Sequence, residues 1–129
     1  MGLVYSTIFL SNPLKPELKQ LEIKCLVDSG STFLCVPQHI ALQLGIEILE
    51  TREAALANGN NEIVPYGGPV KVSFENRNCF TGALIFGNEV LLGAVPMEDM
   101  DLIIHPEIFK LSVNPESPNI PRGIVKLSN

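Results

Sequence analysis

An apolar alternation runs straight into a carboxylate. Leu21, Ile23, Cys25 and Val27 fall on one face of a strand, Leu26 removes the polar partner on the other, and Asp28 follows at once. After the polar turn Ser29-Gly30-Ser31-Thr32 a second apolar run begins with Phe33, Leu34 and Val36. A turn Asp ordinarily hydrogen-bonds its own backbone and faces water. Here core-type residues flank it on both sides, so Asp28 is expected at the bottom of a depression rather than on the skin. A carboxylate held among apolar groups is costly unless it is paired or neutralised, which makes Asp28 a functional candidate. An ordinary Asx turn is the alternative reading of the same four residues.

The rest of the chain favours short strands. Ten Gly and ten Pro interrupt a sequence with few helix-length amphipathic segments. Hydrophobic residues make up 46% and charged residues 18%, which excludes disorder and leaves one domain of 129 residues with a real core. A net charge of −5 argues against nucleic acid, whose binding draws most of its affinity from basic patches. No apolar run approaches the roughly 20 residues that span a bilayer, so no membrane partner is expected. Residues 1–10 show neither a basic n-region nor a small-residue cleavage site. Three cysteines suit reduced thiols better than a disulfide framework, and a cytoplasmic location is expected from the two together.

Strands are expected over residues 3–10, 21–27 and 33–36, with a Pro-containing loop at 11–17. Pro37 opens a short helix that Gly45 closes, and the chain extends again over 46–52. Residues 54–68 read as a hairpin whose tip, Asn58-Gly59-Asn60-Asn61, tolerates positive φ. Val70, Val72 and Phe74 alternate with Lys71 and Ser73, residues 75–78 turn, and 80–86 form a more apolar strand. After a turn at 87–89 comes Val90-Leu91-Leu92-Gly93; Pro96, with Glu98 and Asp99 in the first turn, then starts a second short helix. Residues 102–104 and 108–113 read as strands, and 114–129 as a Pro-rich extended tail that docks on the core or on a partner chain.

Four features stand in the order found in the single-domain retropepsin-like aspartic proteases: an apolar strand ending in Asp-Ser-Gly, a Gly-containing hairpin, a Leu-Leu-Gly triplet and a short helix. Over residues 3–113 the chain resembles that family. The resemblance implies an all-β closed barrel with one or two short helices, paired two-fold as a homodimer, with 1–113 as the protease domain and 114–129 as its tail. It implies that Asp28 is the catalytic carboxylate, that Ser29 hydrogen-bonds across the dimer, and that Gly30 lets the substrate backbone approach. Ser31 stands where the family often has Ala and places a hydroxyl beside the carboxylate. Asn58, Gly59, Asn60 and Asn61 become the tip of a flap over an extended polypeptide substrate. Leu91, Leu92 and Gly93 become the supporting strand, where Gly permits close backbone approach.

Amide hydrolysis of this kind needs one carboxylate as base toward water and another as acid toward the scissile amide, and neighbouring carboxylates share a proton. One Asp-Ser-Gly turn occurs in the chain, so the second carboxylate must come from a second copy. The chain departs from the family at Ala94 and Thr32, where an Arg and its Asp partner are often paired. Competing chemistries have less support. Glu98, Asp99 and Asp101 lack the glycine-bearing loop of a calcium site, and His39 and His105 lack zinc spacing, so no metal and no cofactor is expected. Pro37 separates Cys35 from His39 and breaks any shared helical face; Cys25 and Cys35 read as core residues. Tyr66 either orients the flap or simply packs. The sequence thus supports a homodimeric aspartic endopeptidase, with a catalytically silent peptide-binding or dimerisation module as the alternative. An unrelated small barrel with Asp28 as a mere turn residue is the third reading.

Overall fold

Seven strands pair into one sheet that curls until its two sides meet. The computed structural model describes residues 3–127. The strands are β1 (Val4–Ser11), β2 (Leu21–Val27), β3 (Leu34–Val36), β4 (Glu47–Ala55), β5 (Asn61–Phe74), β6 (Arg77–Ile85) and β7 (Leu91–Leu92). Their order is β1-β2-β7-β3-β6-β5-β4, and β1 also pairs with β5 through Phe9–Ser73, Leu10–Val72 and Ser11–Lys71. That last ladder closes a six-stranded barrel and leaves β4 outside it, carried on the first half of β5. Closure removes the open edges a strand pair would otherwise present.

The alternation read in the sequence decides which side faces inward. Ile8 and Leu10 of β1, Cys25 and Val27 of β2, Leu34 and Val36 of β3, and Val70, Val72 and Phe74 of β5 are buried, while their neighbours along each strand are less so. Each such Val, Leu or Ile contributes about 1.5–3 kcal/mol through burial. Helix α1 (Gln38–Leu44) adds Ile40, Ala41 and Leu44 to this core and ends at Gly45, whose φ of 62° is the left-handed conformation that favours glycine. Pro37 caps α1 from just outside it, and Leu42 points to solvent.

Three local expectations fail. Helix α2 (Ala94–Asp99) starts two residues before Pro96, with Gly93 as its N-cap, so Glu98 and Asp99 end the helix instead of opening it. Pro96 is tolerated because a first-turn N–H has no intrahelical acceptor to lose. The strand expected over 108–113 is shorter: β8 (Leu102–His105) and β9 (Lys110–Val113) form their own two-stranded sheet, joined by a 3-10 turn at Pro106–Ile108 and by Phe109 at φ 53°. Arg77, read as a turn residue, opens β6 and is fully buried.

Arg77 and Asp101 hold the first part of the tail. The Arg77 Nη2 donates to the Ser117 carbonyl, and Asn76 Nδ2 donates to the Pro118 carbonyl at 2.9 Å. Asp101 accepts from the Ser117 hydroxyl, from the Arg122 N–H at 3.0 Å and from Asn114 Nδ2 at 3.0 Å. These donors, Ser117 first, bring the Asp101 carboxyl down to about 2, and the Arg77 charge acts in the same direction. A depressed carboxylate stabilises the docked state fully above its unfolded value of about 4, and that contribution is lost as pH falls through the folded value. The Arg122 end of the tail is therefore expected to stay docked at pH 4 and to come free near pH 2. Amide exchange at Arg122, corrected for its intrinsic rate, measures this. Asp101→Ala should abolish the protection at neutral pH, and unchanged protection would mean the tail is held elsewhere.

Candidate active site

Strands β2 and β3, on either side of the Asp28 turn, do not pair with each other. β7 lies between them, parallel to β2 (Leu26–Leu91, Val27–Leu92) and antiparallel to β3 (Cys35–Leu91). The turn must therefore bridge across β7, and β7 supplies the backbone groups that shape it. Leu26 N–H donates to the Val90 carbonyl at 2.9 Å and Asp28 N–H to the Leu92 carbonyl at 3.0 Å. On the far side Ala94 N–H donates to the Ser31 carbonyl at 2.8 Å and Val95 N–H to the Thr32 carbonyl at 2.9 Å. Thus Ala94 and Thr32, the positions that depart from the retropepsin-like pattern, sit in a seam of main-chain hydrogen bonds. Gly93 is at the crossing point. A Cβ there would lie 2.4 Å from the Phe33 carbonyl oxygen and 2.8 Å from that of Ser31.

Within the turn, Asp28 is held by its own neighbours. Gly30 N–H donates to Oδ1 at 2.9 Å, Ser31 Oγ donates to Oδ2 at 3.2 Å, and Ser31 N–H donates to the Asp28 carbonyl at 3.2 Å. The carboxylate is half-buried, and Ser29 and Gly30 beside it are exposed. The depression expected from the flanking core residues is thus shallow in a single chain. Two acceptor oxygens fixed in orientation but open to solvent can take a proton from a water or give one to a substrate atom. The Ser29 hydroxyl makes no hydrogen bond among the described residues.

The hairpin expected over 54–68 forms from β4 and β5. Its tip is closed by Leu56 N–H to the Asn60 carbonyl at 2.8 Å and by Asn60 N–H to Asn58 Oδ1 at 2.9 Å. Gly59 has φ 88° and open space where a Cβ would be, and Asn58, Asn60 and Asn61 around it are exposed. The tip makes no hydrogen bond with the Asp28 turn; the base of the hairpin reaches that turn instead. Arg52 pairs with Val64 across the ladder and Glu50 with Tyr66, and Val64 is buried, so this is the inward face. There the Tyr66 ring meets Phe33 edge-on, centroids 6.0 Å apart, and packs over Gly82, where a Cβ would fall 2.2 Å from Tyr66 Oη. The Arg52 guanidinium lies 3.7 Å from the Tyr66 centroid and 5.2 Å from that of Phe33, with its Nε donating to Glu50 Oε2 at 2.8 Å. That hydrogen bond raises the basicity of Arg52. Sequence reasoning singled out Tyr66; that Arg52 and Glu50 share its face appears only once the register of β4 against β5 is known.

Other chemistries find little here. Burial pushes the Cys25 and Cys79 thiols up to about 12 and raises Cys35, so none is poised as a thiolate nucleophile. Asp101 is occupied by tail donors, and His105 Nε2 lies 2.7 Å from Ser112 Oγ. Among the described residues no helix is long and apolar enough to cross a membrane.

Neither a family model nor a curated protein matches the chain by sequence. Solved structures do match its shape. The retroviral protease-like domain of Ddi1 from Leishmania major is similar over 94% of both chains, with a TM-score of 0.59 and 14% identity. The EIAV protease, solved with the inhibitor HBY-793, is similar over 76% of this chain and 88% of its own, with a TM-score of 0.57 and 14% identity. Together with the barrel and its two short helices, these likenesses show that the chain has a retropepsin-like fold.

Proposed function

We propose that the chain is an aspartic endopeptidase that works as a homodimer, its two Asp28 carboxylates facing each other across a two-fold axis. The observation that carries this reading is the single Asp28 turn, clamped by β7 and offering an oriented, half-open carboxylate once per chain. One ionised Asp28 takes a proton from a water whose oxygen attacks the scissile carbonyl carbon. The protonated Asp28 of the other copy gives its proton to the carbonyl oxygen, forming a tetrahedral diol. The first Asp28 then passes the water's proton to the amide nitrogen as the C–N bond breaks, and the second recovers a proton from a diol hydroxyl, which leaves a carboxylic acid and an amine. Ser29, exposed and without a hydrogen bond among the described residues, suits a hydrogen bond across the axis. Leu3, Ile124, Val125 and Leu127 expose apolar surface near the termini, which suits an interface partly built from them.

The missing Arg and Asp at Ala94 and Thr32 favour a second reading, a silent relative that uses the same groove to bind peptide. Proteolysis of a denatured protein across pH, with and without a transition-state-analogue inhibitor of aspartic proteases, decides between them. Cleavage that the inhibitor abolishes supports the enzyme. Sedimentation showing monomer alone at high micromolar concentration would count against both.

In this reading the hairpin is a flap and residues 58–61 its mobile tip. Gly59→Val forces a β-branched residue to positive φ where nothing else is touched. It is expected to cost at most about 2 kcal/mol of stability but more than roughly tenfold in kcat/KM, because substrate is no longer held in register. Thermal unfolding and peptide kinetics on the same sample compare the two; equal losses would make the hairpin merely structural.

A further inference from the structure

Arg52 has more hydrogen-bonding capacity than the chain uses. A guanidinium carries five N–H donors in a planar fork. Here Nε alone is engaged, by Glu50, and the two terminal nitrogens have no acceptor among the described residues. The side chain is 35% exposed, so the free edge of the fork is within reach of solvent or ligand. Stacking on Tyr66 holds the guanidinium plane in place, which leaves little freedom to be lost when a ligand binds. The fork stands on the inward face of the hairpin, beside Phe33, and Phe33 continues directly from the Asp28 turn. No other Lys or Arg occurs from residue 47 to residue 68, so this cation is alone among the carboxylates of both arms. Glu50 sits at the Nε edge and leaves the opposite edge open.

We infer that Arg52 is a specificity residue of the peptide groove, its two terminal nitrogens receiving the carboxylate of an Asp or Glu side chain of the bound peptide. The inference rests on the endopeptidase reading, since it requires an extended peptide beneath the hairpin. Recognition is bidentate, two N–H groups to two oxygens, and the Tyr66 and Phe33 rings shield the pair on one side. A neutral Gln of the same shape can satisfy only one of the two donors as an acceptor and brings no charge.

Paired peptides that differ only by Glu or Gln at one position, scanned along the substrate, test it. The unaltered protein should cleave the Glu peptide about tenfold faster in kcat/KM at one position, the size of one charge-assisted contact. Arg52→Gln should bring that ratio close to one, and Arg52→Glu should invert it toward Lys. A purely structural role for the stack would instead slow the Glu and Gln peptides equally and leave the ratio unchanged, overturning the inference. So would the absence of a Glu preference at every position while Asp28-dependent cleavage persists. If no peptide is cleaved at all, the endopeptidase reading fails separately. Fluorescence anisotropy with the same peptides then decides: a Glu preference that Arg52→Gln removes supports the assignment, and none overturns it.

Discussion

Asp28→Asn is expected to lower peptide hydrolysis by about a thousandfold or more, the scale of general acid–base catalysis, while the protein still folds. The amide keeps the size and shape of the carboxylate. Its oxygen can still accept from Gly30 N–H, and the Ser31 hydroxyl can turn to accept from the new amide, so both local contacts have a replacement. Loss of charge at a half-buried site should therefore change stability by no more than about 1 kcal/mol. An amide neither takes a proton from water nor delivers one to a leaving group. In a two-fold dimer one substitution removes both members of the pair at once, so no second carboxylate remains to carry residual turnover. Single-turnover cleavage beside thermal unfolding of the same preparation measures both effects. Activity within tenfold of the parent would sink the catalytic assignment of Asp28.

Gly93→Ala is expected to cost about 2–4 kcal/mol, the range of overpacking at a site that cannot relax. What a methyl group would meet there is main chain: the Phe33 and Ser31 carbonyl oxygens and the Thr32 carbonyl carbon. No rotamer change can clear them. Either β7 withdraws and the hydrogen bonds of Asp28 and Ala94 lengthen, or the turn itself is pushed outward. Both routes displace the Asp28 carboxylate, so activity should fall further than stability alone requires, since a shift of about 1 Å can cost on the order of a hundredfold. The denaturant midpoint should fall with the slope unchanged. Gly82→Ala provides a contrast, because the atoms in its way belong to the Tyr66 ring, which has a side-chain torsion to give. A Gly93→Ala protein as stable as the parent would mean that the crossing is looser than its geometry.

Much of this architecture was legible in residue order. Strand β2 and the second half of β5 follow from alternation, β1 from its β-branched and aromatic residues, and the hairpin tip from Asn58 and Gly59, because period, propensity and turn chemistry are local properties; that 61–74 runs as one strand is not. The Asp28 turn was visible for the same reason, a polar break between two apolar runs. The position of β7 was not: two residues have no period, and only the family resemblance placed them beside the turn. The start of α2 was misjudged because Pro96 is an acceptable opening residue and equally acceptable two positions later, where no hydrogen bond is forfeited either. Arg77 looked like part of a polar turn, since nothing in Glu75-Asn76-Arg77-Asn78 reveals that the tail will cover it. The Phe33, Tyr66 and Arg52 stack depends on cross-strand register, which the shift between Ile48 and Glu50 alters and no single-strand pattern records.

The crossing of β7 beneath the Asp28 turn also dictates an order of events during synthesis. The two strands that flank the carboxylate leave the ribosome early, yet they cannot adopt their final spacing alone, because the segment that separates them is Leu91–Leu92. Until that segment has been made and threaded between them, the turn lacks the carbonyls of Val90 and Leu92 that fix its first half and the N–H groups of Ala94 and Val95 that fix its second. Contacts so distant along the chain form late in folding, after their loop-closure cost has been met. A nascent or truncated chain ending before residue 90 therefore carries the acid without its shape. A chain that has emerged through Val95 is the first form able to present it.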